Sequence, residues 1–235
     1  MTNASRSRPH DTRRSAALPR DAAATPRERL SATAIALSAW VGLGFQVAAS
    51  LGHEPSLAAA LWLMAKFFTN TTNLAVAVLF TGIAAGVSSF RTARKVAGLA
   101  LAIMLVGIIY QLLLRGLMHP GAAGQVADFF EHDLVPIAVP VYWLAFSRKG
   151  ALRWGDPLIW AVYPIAYLGY VQVRVQAGDR CPYPFLDIAA LGGLQVLLNV
   201  VTISAGFLAV GYGIVLMDRR LARPADRAGS GLMAD

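Results

Sequence analysis

Glu131, His132 and Asp133 stand at the mouth of one apolar run, DFFEHDLVPIAVPVYWLAF, Asp128 to Phe146. Ionisable groups are costly in a hydrocarbon-spanning helix, so these must face a bundle interior, a watery cleft or the membrane interface. An imidazole in that position suits proton transfer or ligand binding. Two prolines sharpen the pattern. Pro136 has no N–H to give the carbonyl of His132, and Pro140 likewise leaves the carbonyl of Pro136 without a donor. One reading is a pocket at the helix mouth with His132 in it. The plainer one is a proline-kinked helix whose acids sit in headgroup water, and this stretch alone leaves both open.

A second polar cluster is KFFTNTTNL, Lys66 to Leu74. Thr69 and Asn73 are four residues apart, about 40° around a helix, and Lys66 precedes Thr69 by three, so the three share a face that cannot point at lipid cheaply. Thr71 and Thr72 can satisfy themselves on a carbonyl one turn back, whereas Asn73 needs a partner. If Lys66 snorkels to the outer interface, Thr69 lies just beneath it at the depth of His132; a helix beginning near Leu57 would sink Thr69 toward mid-membrane. A third cluster is the connection RVQAGDRCPYPFLD, Arg174 to Asp187, stiffened by Pro182 and Pro184, with Tyr183 and Phe185 suited to the interface. Asp187 can cap the helix that follows it, or can orient His132 if that helix packs nearby.

These clusters need elements to hold them. With 56% hydrophobic and 14% charged residues among 235, the chain lies well on the membrane side of an ordinary soluble domain. Apolar runs near the length required of a membrane span occur at about Ser31 to Gly52, Phe67 to Val87, Val96 to Leu117, Phe129 to Phe146, Pro157 to Val173 and Ala189 to Met217. The expectation is an all-α, polytopic bundle of six transmembrane helices over residues 31–218, between a disordered basic tail at 1–30 and a short tail at 219–235.

The net charge of +8 is distributed as in a membrane protein and not as in a nucleic-acid binder. Both tails and the second and fourth connections hold 17 of the 21 Lys and Arg. The odd-numbered connections hold only Lys66, Arg115, Arg174 and Arg180, so the positive-inside rule places both termini in the cytoplasm. That agrees with an even number of spans. Trp40, Trp62, Trp143, Trp154 and Trp160 lie mostly toward span ends, as interface anchors would. Arg13-Arg14 is not followed by the hydrophobic region of an export signal, and the tail reads as a solvated topology determinant. Eighteen Arg against three Lys, with abundant Ala and Gly, points to a GC-rich genome and a bacterial inner membrane. The lone cysteine, Cys181, gives no intrachain disulfide, metal box or paired redox motif. There is no phosphate-binding Gly-rich loop and no GxSxG elbow.

KFFT at Lys66 to Thr69, HDLVP at His132 to Pro136 and YPFLD at Tyr183 to Asp187, in that order on six spans, resemble the family of androgen-induced and androgen-dependent TFPI-regulating proteins, and more closely its bacterial six-helix relatives. The resemblance covers about residues 31–218. It implies a membrane hydrolase that cleaves fatty acid esters of hydroxy fatty acids with a threonine nucleophile and a histidine, roles that fall on Thr69 and His132. One departure is the polar run Asn70-Thr71-Thr72-Asn73 where the family is mainly apolar.

Such chemistry requires a base within hydrogen-bond reach of the threonine, held in turn by a third group. Of the four histidines, His10 lies in the tail and His53 and His119 in outer connections, so His132 is the base expected. Glu131 and Asp133, each about 100° from it on a helix, are poorly placed to orient it; Asp187 or Asn73 is better placed. Asn73, Lys66 and Tyr183 are candidates for the oxyanion. No cofactor, metal or nucleic acid is expected; the partners are the bilayer and a lipid ester entering sideways from the outer leaflet. One rival is a metal enzyme using His53, Glu54, His119, Asp128, Glu131, His132 and Asp133, which lack a helical metal spacing. The other is a transporter or assembly protein with a proton- or ligand-binding site at His132, although the two halves of the chain show no internal similarity.

Overall fold

The computed structural model describes residues 24–117 and 120–222 and contains no strand among them. The basic tail to residue 23, the C-terminal tail from residue 223 and His119 lie outside the described residues. Four helices are long and apolar enough to cross a membrane: α1 (Pro26–Leu51), α4 (Ala93–Ile109, continued by a π-helical turn, Tyr110–Leu114), α7 (Asp156–Gln176) and α9 (Gly193–Leu221). A bent pair, α2 (Leu57–Met64) and α3 (Phe68–Ala84), makes a fifth if taken as one span. Between α4 and α7 runs unbroken helix made of α5 (Ala122–Asp128), a π-helical turn (Phe129–Leu134) and α6 (Val135–Phe146). This segment carries four ionisable side chains, Asp128, Glu131, His132 and Asp133. A single turn, α8 (Ile188–Leu191), precedes α9 and is set off from it by Gly192 at φ +79°.

The first helix begins at Pro26, earlier than the Ser31 expected, because Thr25 and Glu28 form a reciprocal capping box. The core is a stack of small and branched side chains, among them Ala32, Ala39, Val76, Ala77, Ala97, Ile103, Val135 and Val139, all at most 1% exposed. Large apolar side chains also cover the outside: Leu194 is 72% exposed, Ile137 65% and Ile165 64%. Such a surface is unsuited to water and suited to lipid. The tryptophans do not all act as interface anchors. Trp143 is buried in the core, and Trp160 packs its indole onto the bare backbone of Gly98.

The bend between α2 and α3 is 99° and contains neither Gly nor Pro. It persists because side chains from elsewhere take the carbonyls that the helix break releases. Arg174 Nη1 donates to Trp62 O at 2.8 Å, Asn70 Nδ2 to Met64 O at 3.1 Å, and the Tyr167 hydroxyl to Lys66 O. An apolar surrounding makes each of those bonds worth keeping. The consequence for chemistry is that Thr69 lies in the first turn of α3 and not in the middle of a long helix.

The helix carrying His132 is held against two glycines. A Cβ on Gly42 of α1 would lie 3.0 Å from Phe130 Cβ, and one on Gly107 of α4 would lie 2.8 Å from Pro136 Cβ. Gly107 also faces the His132 carbonyl that Pro136 leaves without a donor. Gly107→Ala is therefore expected to push the proline-bearing segment away from α4, at about 1–3 kcal/mol for an overpacked core site. Thermal unfolding in detergent should show a lower midpoint for Gly107→Ala and little change for Gly44→Ala, since a Cβ on Gly44 meets nothing within 4 Å.

Candidate functional site

Thr69, on the first turn of α3, and His132, on the π-helical turn, come together although 63 residues separate them. Thr69 Oγ1 lies 3.3 Å from His132 Nε2. On the other edge of the ring, His132 Nδ1 lies 2.9 Å from Asp128 Oδ1, one turn earlier on the same helix. This approach is close but oblique to the ring N–H, so it is a contact with the carboxylate and not an aligned hydrogen bond. A carboxylate beside Nδ1 favours the proton on that nitrogen and leaves Nε2 to accept from the threonine. Tyr110, from the π-helical turn that ends α4, stacks on the imidazole with centroids 3.9 Å apart and planes 14° apart. Its hydroxyl donates a hydrogen bond to Asp128 Oδ2. The acid is thus held by the same residue that flanks the ring.

The supporting residues divide into those that build this arrangement and those used elsewhere. Asn73 has found its partners: its side-chain amide donates to Thr69 O at 3.0 Å and to Glu131 O at 3.4 Å, tying α3 to the π-helical turn. With both donors on backbone carbonyls, it neither orients the imidazole nor serves as an oxyanion donor. Tyr183 is buried, and its hydroxyl accepts the amide N–H of Phe68 at 2.9 Å, satisfying one of the first-turn donors of α3 beside Thr69. Lys66 holds its ammonium 5.7 Å from the Phe67 ring centroid, while its carbonyl takes the Tyr167 hydroxyl. Asp187 does not orient His132: its Oδ1 accepts from Ala189 N and Ala190 N and caps α8. The carboxylate at the ring is Asp128. Thr71 bonds back to Phe67 and Phe68 carbonyls as expected, whereas Thr72 instead meets the Tyr163 hydroxyl at 3.0 Å.

Sequence reasoning named Asp128 only in the rival metal reading, not as the partner of His132, and missed Tyr110. Asp128 was readable, because acid and imidazole four apart share a helix face. Tyr110 was not, since it comes from another helix and only the packing of α4 brings it there. Arg115 and Gln111 engage Asp133 at 2.6 and 2.7 Å, which keeps that acid away from the imidazole. Glu131 is buried beneath the site against Gly42, and its Oε1 has no partner.

Thr69 also lines a cavity of about 290 Å³, so its hydroxyl stands between the imidazole and an open space. The walls come from α3, α4, α7, α9 and the Tyr183–Leu186 turn. They are aliphatic and aromatic apart from Thr69, Ser204 and the tyrosine hydroxyls. Among the described residues, no three His, Cys, Asp or Glu side chains are grouped so as to hold a metal. The arrangement suits activation of a hydroxyl next to an apolar chamber. Comparison with protein-family models, curated proteins and solved structures gives no match to this chain.

Proposed function

We propose that this protein is an integral membrane hydrolase of lipid esters, fatty acid esters of hydroxy fatty acids or a similar class, with Thr69 as nucleophile and His132 as its base. The observation that carries the proposal is the array of Asp128, His132 and Thr69, ending at an apolar cavity. In the proposed reaction, Thr69 Oγ attacks the ester carbonyl while its proton passes to His132 Nε2. The tetrahedral oxyanion forms beside the first turn of α3, whose dipole favours negative charge. Collapse breaks the C–O bond to the alcohol, which leaves with the proton from Nε2. Water, deprotonated by the same nitrogen, then attacks the acyl-threonine, and the fatty acid departs as Thr69 regains its proton. Asp128 stabilises the imidazolium in both steps, and Tyr110 holds Asp128.

In the same reading, the chain crosses a bacterial inner membrane six times, with the bent α2–α3 pair and the Ala122–Phe146 segment each counted as a span and both termini in the cytoplasm. The charge distribution supports this topology. The outer side then carries the break before α3, the two π-helical turns and the Tyr183 turn, which surround one site at one depth. The transport alternative would draw support from a row of ionisable groups along a path through the bundle. Thr69 instead ends at an apolar chamber.

The deciding experiment uses purified protein in detergent with a branched fatty acid ester of a hydroxy fatty acid, with release of both acids followed by mass spectrometry. Turnover by the wild type that disappears in folded His132→Ala protein supports the reading. A folded wild type that releases no acid, from this ester or from simpler alkyl esters, would sink it. A C-terminal fluorescent-protein fusion that glows and an alkaline-phosphatase fusion that stays inactive are the topology results expected.

A further inference from the structure

The chamber beside Thr69 continues toward the lipid side of the bundle. A second void of about 170 Å³ occupies the cleft between α4 and α9. Leu105, Ile109, Ile203 and Phe207 belong to the walls of both voids, and Phe207, the one aromatic among them, is 5% exposed. Past Phe207, Gly206 lines the second void, and a Cβ built there meets no atom within 4 Å. Gly206 is exposed, so the second void opens on the outside of the bundle, and its walls are apolar throughout.

We propose that the two voids are successive sections of one acyl-chain tunnel and that Phe207 is the partition that sets the length of chain accepted at Thr69. The inference rests on the lipid-ester reading and specifies its substrate. The occupant follows from continuity: the first section begins at the Thr69 hydroxyl, so a chain esterified at that carbonyl runs along it and meets Phe207 at its far end. If a methylene fills roughly the 30 Å³ share of a water molecule, the first section takes about ten carbons and the two together about fifteen. Chains arriving from a bilayer or micelle are already out of water, so additional methylenes bring little hydrophobic gain. Selection is then steric. A chain that continues along the walls from the first section into the second must displace a packed aromatic ring, which a dense interior resists.

The test uses 4-nitrophenyl alkanoates from C4 to C18, competed in one detergent mixture so that partitioning cancels. Wild type should fall at least tenfold in relative kcat/KM beyond about C10 to C12, and Phe207→Ala should carry the plateau to about C15. Adding Gly206→Leu to Phe207→Ala refills the second section and should return the cutoff toward that of the wild type. Should Phe207→Ala fail to fold, Phe207→Leu opens less space and should move the cutoff by a few carbons. Stabilisation of the same proteins against heat by free fatty acids from C8 to C18 reads the tunnel without any turnover, and its maximum should shift in the same direction. A cutoff that stays in place while all chain lengths change by one common factor overturns the partition. Absence of hydrolysis in every protein counts against the esterase reading; the fatty-acid series then decides the tunnel alone, a shifted maximum supporting it and an unmoved one rejecting it.

Discussion

Thr69→Ala is expected to lower kcat/KM toward lipid esters by at least about 10³-fold while the protein remains folded, and Thr69→Ser to retain most of the activity. Removing the attacking group of a nucleophile–base pair leaves only the rate supplied by binding and oxyanion stabilisation. Serine keeps a hydroxyl within reach of His132 Nε2. The structural cost of the alanine is small, on the order of 1 kcal/mol for one part-buried hydrogen bond, because the backbone contacts that place residue 69 do not use its side chain. Those contacts are the Phe68 amide on Tyr183 and the Thr69 carbonyl on Asn73. Equal losses in the alanine and serine variants would point to water attacking directly, with residue 69 only lining the chamber. Activity unchanged in Thr69→Ala would remove the nucleophile assignment outright.

Asp128→Asn should be nearly as damaging, by about 10²- to 10⁴-fold in kcat, with less change in KM. The substitution keeps the size of the side chain and an acceptor for the Tyr110 hydroxyl. It removes the charge that favours imidazolium, and its amide can donate to Nδ1, which moves the ring proton to Nε2 and turns a donor toward the threonine. Tyr110→Phe, which keeps the stacked ring and loses one hydrogen bond to a charged group, should cost only about tenfold. The ordering of the two variants is informative: equal and small effects would mean that Asp128 merely closes the helix surface. Ring-nitrogen NMR shifts of His132 in wild type and Asp128→Asn, with the histidines labelled, would show the tautomer change independently of turnover.

The sequence was most informative where the physics is local and least where distant helices cooperate. Helical segments near all six apolar runs follow from hydropathy alone. Thr69 and His132 could be assigned a common depth, yet the step from depth to a 3.3 Å contact depends on Asn73 bridging α3 to the π-helical turn and on close approach at Gly107. The α2–α3 break was illegible because nothing at Ala65 to Phe67 breaks a helix by itself. The side chains that hold the bend open come from Asn70, Tyr167 and Arg174, two of them about a hundred residues downstream. Asp187 illustrates the opposite case, in which a local force decided: the amides of α8 lie two and three residues away and claim the carboxylate. Asp128, named only as a rival metal ligand, is the partner of His132 for a geometrical reason: four residues away it shares the face of the imidazole, which the adjacent acids do not.

Two π-helical turns, Tyr110–Leu114 and Phe129–Leu134, supply the stacked pair Tyr110 and His132. The wide turn at Phe129–Leu134, with α-helix on either side, holds about one more residue per loop of backbone than those helices. In evolutionary terms, such a turn is what a single inserted residue leaves in a helix whose two ends are already fixed by packing. The part of the helix that follows the turn, Val135–Phe146, packs Val135, Val139 and Trp143 into the core, and a residue gained in the turn would rotate the part before it as a unit. The membrane-embedded frame and the reactive face are thereby uncoupled. A lineage of such proteins can alter which side chains meet at the outer site by gaining or losing one residue there, without remaking the packing of the helices below.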